Sequence, residues 1–343
     1  MTMIDLRSDA LVPPSAAAQK AMVTAGSGDD FYEENEITRE LERHMAQLLG
    51  KEAALLMPTG TLANAIALLT QPCAPGQILM DAESHIRRRE MGPLSLLGRL
   101  EPVYSDTAEG CPDARATEAW LKQLPRDPRL LPIICTENTH LWRGGKVLRP
   151  ELLNALSEVA HAHGARIHLD GARLFYAAAI LDLPVQPLAA GADSVMVSLV
   201  KGLGIPAGAM LASSAEFIRE ARLRQTAVGG TLRSTGWIAA AALVSLREGF
   251  AHLKEDHRRA KALAQLCQAG GFGPAPAAVE SNIVLIDSQP LGLSAAQFAA
   301  MALEQGLRVS VLGAHTVRLA TSRKFTEGDL APAGRILRAV AGR

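Results

Sequence analysis

The sequence predicts an α/β fold in which a mostly parallel central sheet is flanked by helices, followed by a smaller α+β domain. From residue 52 onward, short apolar runs rich in strand-forming residues alternate with stretches of helical periodicity. Strands that alternate with helices are typical of parallel sheets covered on both faces. The predicted strands are 53–57, 78–80, 102–104, 132–135, 166–169, 195–199 and 209–211, and the predicted helices between them are 62–69, 117–123, 150–163 and 215–223.

The first 40 residues are predicted to form an arm ahead of this sheet. Two adjacent prolines, Pro13 and Pro14, exclude regular helix at that point, and a short helix is predicted over 15–22. The acidic and aromatic segment 31–36 fits either a solvated loop or a functional segment. Residues 37–49 have apolar side chains at helical spacing and are followed by Gly50, which is a typical helix stop.

The C-terminal third has a different pattern. Residues 236–268 are rich in alanine and are predicted to be helical, with a charged face toward solvent. From about residue 270 the sequence predicts a βαβ-like module with a strand at 280–287, a helix at 294–305 and a strand at 317–320.

Composition excludes several classes of protein. The chain has 343 residues, 48% of them hydrophobic and 20% charged, so it can bury a sizeable core. Its 35 basic and 35 acidic residues balance, so a broad nucleic-acid or membrane footprint is not expected. No CxxC pair is present, which predicts free thiols and no metal site. The segment after Met1 lacks the apolar region of a signal peptide, so a cytoplasmic protein is expected.

Lys201 and Asp170 suggest the chemistry. Each follows a predicted strand, and ligands of such sheets bind where strands end. A lysine amine that forms a Schiff base, and an acid that keeps a pyridinium nitrogen protonated, are the two groups that pyridoxal phosphate (PLP) requires. Taken singly, Lys201 would fit an ordinary surface lysine, and Asp170 would fit an ordinary helix N-cap. With the pattern of elements along the chain, this pair predicts an arm at 1–40, a large PLP-binding domain at 41–240 and a small C-terminal domain at 241–343.

Further candidates follow other strand ends. Thr59, Gly60 and Thr61 open a predicted helix, whose free N–H groups suit a phosphate, although a threonine there also fits a simple N-cap. His85 could stack on a ring or exchange a proton. Glu137 could contact the cofactor ring oxygen or cap a buried loop.

Arginines are the candidates for binding a carboxylate. Arg173 and Arg318 could each do so through a bidentate guanidinium. Arg318 stands inside an apolar strand, where a charge needs a partner. The basic run 87–89 fits a solvated surface or contact with an anionic substrate.

Together these motifs, in order along nearly the whole chain, resemble the threonine aldolases, which are PLP enzymes of the aspartate-aminotransferase fold (fold type I). The motifs are Asp5-Leu-Arg-Ser-Asp, Gly28-Asp-Asp-Phe-Tyr, Leu49-Gly-Lys-Glu-Ala-Ala, Pro58-Thr-Gly-Thr-Leu-Ala-Asn, Glu137-Asn-Thr-His, His168-Leu-Asp-Gly-Ala-Arg-Leu-Phe, Lys201-Gly-Leu-Gly and Val317-Arg-Leu.

The resemblance implies a role for each position. Lys201 and His85 are implied as catalytic. The implied cofactor contacts are Thr59, Gly60, Thr61, His85, Glu137, Asp170, Arg173 and Lys201, and the implied substrate contacts are Ser8, Arg173 and Arg318. It also implies a homotetramer built as a dimer of dimers, with the arm near Tyr32 reaching a neighbouring site.

The chain departs from the family on the substrate side. The usual tyrosine-rich segment after His85 is Ile-Arg-Arg-Arg-Glu, and a second histidine expected near 126–130 is absent. Asparagines of the family are replaced by Leu141 and Tyr176, and the serine before the Schiff-base lysine by Val200. The cofactor side is therefore better preserved than the substrate side.

Three hypotheses follow. The first is a PLP-dependent carbon–carbon lyase (an aldehyde-lyase) that cleaves or forms β-hydroxy-α-amino acids such as L-threonine or L-allo-threonine, giving glycine and an aldehyde by retro-aldol cleavage. The second is a divergent PLP enzyme of the same family: a transaldolase, a β-eliminating lyase, or an aldolase for a bulky or anionic aldehyde. The third is a non-enzymatic relative, which the intact Lys201, Asp170 and Arg318 disfavour. The sequence leaves open the aldehyde, the threo or allo preference and the catalytic base.

Overall fold

The computed structural model describes residues 3–26, 28–32, 35–71, 76–98, 100–125 and 131–342. Its centre is a seven-stranded sheet in the order β2-β8-β7-β6-β5-β3-β4. The strands are β2 (Ala53–Met57), β3 (Gly76–Asp81), β4 (Leu100–Ser105), β5 (Ile133–Glu137), β6 (Arg166–Gly171), β7 (Ser194–Ser198) and β8 (Ala209–Ser213).

The predicted mostly parallel sheet is confirmed. β4, β3, β5, β6 and β7 pair in parallel, and β8 is reversed relative to both of its neighbours, β7 and β2. The reversal follows from the connections. Helical crossovers separate the parallel strands, whereas only residues 199–208 join β7 to β8, too short a connection for a helical crossover. Six strands therefore end at the same edge of the sheet.

Helices cover both faces of this sheet. β5, β7 and β8 are buried along their whole length, as expected for strands between two helical layers. The helices of this part are α1 (Ala16–Thr24), α2 (Glu36–Leu49), α3 (Gly60–Thr70), α4 (Met91–Gly98), α5 (Ala114–Leu121), α6 (Pro150–Ala162), α7 (Leu174–Leu181), α8 (Val185–Ala189), α9 (Ala215–Ala227) and α10 (Gly236–Glu248), with a single π-helical turn at Ile86–Glu90.

Two predictions for the C-terminal third were wrong in detail. The single helix expected over 236–268 is two helices, α10 and α11 (Ala251–Ala269). The helix is interrupted at Gly249, whose φ is +76°. The βαβ-like module is antiparallel: β9 (Ile283–Asp287) pairs antiparallel with β12 (Thr316–Ala320). The hairpin that joins β11 (Ser310–Val311) to β12 turns the chain back. The helices of this part are completed by α12 (Ala295–Glu304) and α13 (Glu327–Val340).

The N-terminal segment joins the C-terminal core. β1 (Ile4–Asp5) pairs in parallel with β10 (Leu307–Arg308). Ile4 and Leu6 are buried in the same hydrophobic cluster as residues of α11, α12 and α13. We call this cluster with its strands the small unit, and the core around the seven-stranded sheet the large unit. The division at residues 40 and 240 stays a prediction.

Some features predicted from the sequence lie outside the described residues. These are Cys73, the acidic residues 33–34 and the segment 126–130, where the family's second histidine was expected. Cys111, Cys135 and Cys267 are buried, and none of them forms a disulfide within the described part of the chain. Among the described helices, none combines the length and the apolar character that crossing a bilayer requires.

The burial of Leu6 gives a test of how firmly the N-terminal segment is held. Leu6 is fully buried, so Leu6→Ala should lower the free energy of unfolding by about 2–5 kcal/mol, the usual range for a leucine cavity in a core. Leu11→Ala is the matched control, because Leu11 is 42% exposed. Urea unfolding followed by circular dichroism at one protein concentration measures both. Equal midpoints for the two variants would contradict the placement of β1.

Candidate active site

The site lies at the edge where the parallel strands end. β6 carries Asp170, β5 ends at Glu137, and Lys201 follows β7 by three residues. His85 follows β3 by four residues and donates its backbone N–H to Glu137 at 2.8 Å. The structure therefore brings together four residues that the sequence singled out.

Lys201 is set among charges. Burial lowers the pKa of its amine, the neighbouring Arg173 guanidinium lowers it further, and the carboxylates of Asp170, Asp9 and Glu137 oppose the change. The net pKa lies below the usual value for lysine. More of the amine is therefore in the neutral, nucleophilic form at a given pH.

Asp170 is oriented by a buried chain of hydrogen bonds. Asn64 on α3 donates from Nδ2 to Oδ2 of Asp170 at 2.8 Å, and the backbone N–H of Ala172 donates to Oδ1 at 3.1 Å. The amide oxygen of Asn64 then lies 3.0 Å from Nε2 of His168. That oxygen can only accept, so His168 carries its proton on Nε2. Nδ1 in turn accepts from Ser194 at 2.9 Å.

His168 stays neutral in this chain. Complete burial lowers the pKa of its imidazole to about 4, although the nearby Asp170 charge opposes this. Because the imidazole of His168 is neutral, it does not compensate the negative charge of Asp170. Asp170 therefore retains both its orientation and its capacity to pair with a protonated ring nitrogen.

His85 is paired with Glu90 through the π-helical turn. Five residues along an α-helix would separate the two side chains by roughly 140°. The wider turn, in which the N–H of Met91 bonds to the carbonyl of Ile86, brings them to one side. Nδ1 of His85 lies 3.0 Å from the carboxylate of Glu90, whose side chain is fully buried.

This pairing sets the charge of the imidazole. Burial alone lowers the pKa of His85, but the hydrogen bond to Glu90 and the charge of Asp170 outweigh it and raise the pKa above its usual value. The imidazole is therefore protonated over a wider pH range than usual, and Trp142 lies on another side of it at a ring separation of 5.9 Å.

The phosphate candidates form the start of α3. Thr59 is the N-cap, and its hydroxyl accepts from the N–H of Leu62 at 3.1 Å. In a helix so capped, the N–H groups of Gly60 and Thr61 belong to the open first turn. A side chain at Gly60 would place its Cβ 3.2 Å from Cε of Met196, so glycine fits this close approach.

Glu137 acts on the backbone of the site. Its Oε2 accepts from the N–H of His85 and its Oε1 from the N–H of Leu141, at 2.8 and 2.9 Å. These contacts match loop capping, the second of the two interpretations. Its contact with a cofactor stays a prediction.

The two arginines differ in what they already bind. Arg173 makes a bidentate ion pair with Asp9, with both distances 2.8 Å and both side chains almost fully buried. Arg318 donates to the carbonyl of Arg7 at 2.7 Å, and its Nε is buried without a partner. Ser8 lies between Arg7 and Asp9 in the sequence, and its hydroxyl accepts a hydrogen bond from the N–H of Ala10 at 3.2 Å.

Arg318 therefore fits an incoming carboxylate better than Arg173 does. Burial lowers the pKa of Arg318 to about 10, and the positive charge of Arg173 adds to this. Asp9, the anion that opposes the shift, already receives two hydrogen bonds from Arg173. An anionic group from a ligand would supply the missing partner.

The basic run is engaged with its own surroundings. Arg88 forms an ion pair with Glu83 and lies 5.1 Å above the ring of Trp142. Arg87 lies 5.1 Å above the ring of Tyr104. All three arginines are exposed. These contacts match a solvated surface, so the geometry adds no support for an anionic aldehyde.

The donor set fits PLP. A lysine amine, a carboxylate for a ring nitrogen, an imidazole and an open helix N-terminus surround one site, and an arginine with an unpartnered Nε lies beside it. Four further residues, Asn64, Glu90, His168 and Asp9, support this set and were not predicted as site residues. Asp9, Asn64 and His168 lie in the motifs that resemble the threonine aldolases, but their hydrogen bonds depend on tertiary contacts.

The His85–Glu90 pair can be tested by removing one charge. Glu90→Gln should lower the pKa of His85, because the carboxylate that stabilises the imidazolium is lost. The stability that the raised pKa provides is present below the unfolded pKa of about 6.5 and is lost as pH rises through the folded pKa. The variant should therefore lose most stability on the acid side of neutrality.

Selective ¹³C labelling of histidine and NMR titration measure the pKa, and thermal unfolding between pH 5.5 and 8.5 measures the stability. Glu83→Gln is the matched control in the same segment, where Glu83 pairs with Arg88 at the surface. An unchanged His85 midpoint in Glu90→Gln would contradict the assigned pairing.

The chain is similar to known proteins along most of its length. The model of the family described as beta-eliminating lyase matches residues 5–289. Low-specificity L-threonine aldolase 1 of Arabidopsis thaliana is 36% identical, over 96% of this chain and 94% of its own. The low specificity L-threonine aldolase of Escherichia coli K12 is also 36% identical, over 78% of this chain and 80% of its own.

A solved structure shares the fold. The Leishmania major threonine aldolase superposes with a TM-score of 0.80 at 19% identity, and the match covers 98% of this chain and 99% of that one. The PLP fold type I architecture expected from the sequence is confirmed. The chain belongs to the beta-eliminating lyase family and, within it, to the threonine aldolases.

Proposed function

We propose that this protein is a PLP-dependent lyase that cleaves β-hydroxy-α-amino acids such as L-threonine and L-allo-threonine to glycine and an aldehyde. The observation that carries the proposal is the convergence of Lys201, Asp170 and His85 at one sheet edge, with Arg318 beside them. The threonine aldolases that match nearly the whole chain support the same reaction.

The residues divide into cofactor and substrate contacts. When bound, PLP supplies the electron sink for the breaking Cα–Cβ bond. Lys201 would hold the cofactor through its amine. Asp170 would keep the ring nitrogen protonated. Thr59, Gly60 and Thr61 would hold the phosphate through hydroxyl and N–H donors at the start of α3, whose positive end favours an anion.

The substrate carboxylate would bind Arg318, with Ser8 beside it. The unpartnered Nε of Arg318 supports this assignment. We keep Arg173 as a cofactor and substrate contact, acting from its fixed position on Asp9. Holding the carboxylate would also fix the orientation of the substrate's Cα–Cβ bond in the site.

A base must take the proton from the substrate β-hydroxyl. His85, or a water that it orients, is the candidate, and Glu90 supports either form. The imidazole would lie over the cofactor ring. Because Glu90 stabilises the imidazolium, His85 accepts a proton readily but releases it less easily.

We also propose a cytoplasmic homotetramer built from dimers. Several apolar side chains of the arm and of helices α9 and α10 are more than half exposed in the single chain, which supports burial against a second copy. They are Val23, Tyr32, Leu223 and Trp237.

The reaction can be tested with the purified, PLP-loaded protein. L-threonine should give glycine and acetaldehyde in equal amounts, and Lys201→Ala should lose this activity and the absorbance of the lysine-linked cofactor. Borohydride reduction followed by peptide mass spectrometry should locate the cofactor on Lys201.

Lys324→Ala is the control, since Lys324 is an exposed lysine of the small unit. Cofactor trapped on Lys201 with L-threonine left intact would reject the proposed substrate and keep the cofactor. Cofactor trapped on another lysine would reject the site itself.

A further inference from the structure

The short loop that carries Lys201 is held by side chains from outside its own sheet. Gly202 and Gly204 have φ of +79° and +74°, so the loop is bent at both glycines. His252 on α11 donates from Nε2 to the carbonyl of Gly202 at 2.7 Å. Arg323, just after β12, donates to the carbonyl of Leu203 at 3.2 Å.

Tyr176 packs directly against this loop. A Cβ placed on Gly202 would lie 3.1 Å from Cε2 of Tyr176 and 3.0 Å from Cδ2 of Leu253. The backbone N–H of Tyr176 bonds to the carbonyl of Arg173 at 3.0 Å, so the ring extends from the helix that begins at the site. The ring therefore leaves no room for a side chain at Gly202, the residue next to Lys201.

The other end of Tyr176 is fixed by a buried carboxylate. Its hydroxyl donates to Oδ2 of Asp256 on α11 at 2.9 Å, and both side chains are almost fully buried. Oδ1 of Asp256 has no hydrogen-bond partner, and Nη1 of Arg259 is 3.9 Å away. The Tyr176 hydroxyl is thus the principal group that satisfies this carboxylate.

We infer that Tyr176 and Asp256 are positioning residues for Lys201, and that the hydrogen bond between them is stronger when Asp256 is ionised than when it is protonated. A hydrogen bond to a carboxylate is roughly twice as strong as one to a neutral acid. The phenol ring is accordingly held most firmly against Gly202 when Asp256 is ionised. This inference rests on the proposed role of Lys201.

The charges around Asp256 place its titration in the relevant range. Burial raises the pKa of this carboxyl to about 7. The hydroxyl of Tyr176 from α7, Arg259 on α11 and Arg323 after β12 lower it, whereas Asp9 from the N-terminal segment raises it. Asp256 therefore titrates within the pH range in which the enzyme would work.

The test measures PLP binding to the cofactor-free protein between pH 6 and 8.5. Binding by the wild type should show a step near pH 7 that Asp256→Asn lacks, because the amide keeps the shape without the charge. Tyr176→Phe leaves the ionised carboxylate without its donor. Its Kd for PLP should rise about tenfold at pH 8 and change little at pH 6, where Asp256 is protonated.

Leu263→Ala is the control for a general loss of stability, because Leu263 is a buried residue of α11 in the small-unit core. A pH profile of Asp256→Asn identical to that of the wild type would overturn the inference. So would a rise in the Kd of Tyr176→Phe that is equal at every pH and is shared by Leu263→Ala. Absence of PLP binding by the wild type would instead reject the proposed function, so the two failures are distinguishable.

Discussion

The buried ion pair between Asp9 and Arg173 is the contact on which the rest of the site depends. Neither charge could remain in this interior alone, because an unpaired buried ion costs several kcal/mol. Arg173 immediately precedes α7, and Asp9 belongs to the N-terminal segment, so their pairing fixes that segment against the edge of the main sheet. Arg7, two residues before Asp9 in the same segment, provides the carbonyl to which Arg318 donates.

Compensation of charge also explains why the ionisable groups of the candidate site differ in their charge. Asp170 is held by amide and backbone donors, and the histidine behind Asn64 is neutral, so the negative charge of Asp170 is available to a cation. His85 faces a carboxylate and is driven toward the charged form. Lys201 lies near both signs, with burial and Arg173 prevailing, and is driven toward the neutral form. His85 and Lys201, at one edge of the sheet, thus have pKa values shifted in opposite directions by their partners.

The sequence predicted the parallel sheet, because its strands are short apolar runs separated by helical periodicity, and it predicted the strand-end residues. It did not predict α7, since this helix is apolar on all sides and has no amphipathic pattern to detect. The direction of β9 and β12 and the pairing of His85 with Glu90 also escaped prediction. The strand direction depends on a hairpin. The pairing depends on a π-helical turn, whereas ordinary α-helical spacing would place the two side chains on separate faces.

The pairing of β1 with β10 has a consequence for how the molecule forms. Ser310 binds the carbonyl of Arg7 across 303 residues of sequence, and Arg318 binds the same carbonyl across 311. Contacts of such separation form late, since the intervening loop must close first. During synthesis β1 therefore remains unpaired until nearly the whole chain has emerged. The large sheet has its full set of strands well before this, so we expect the carboxylate-binding half of the site to be assembled last.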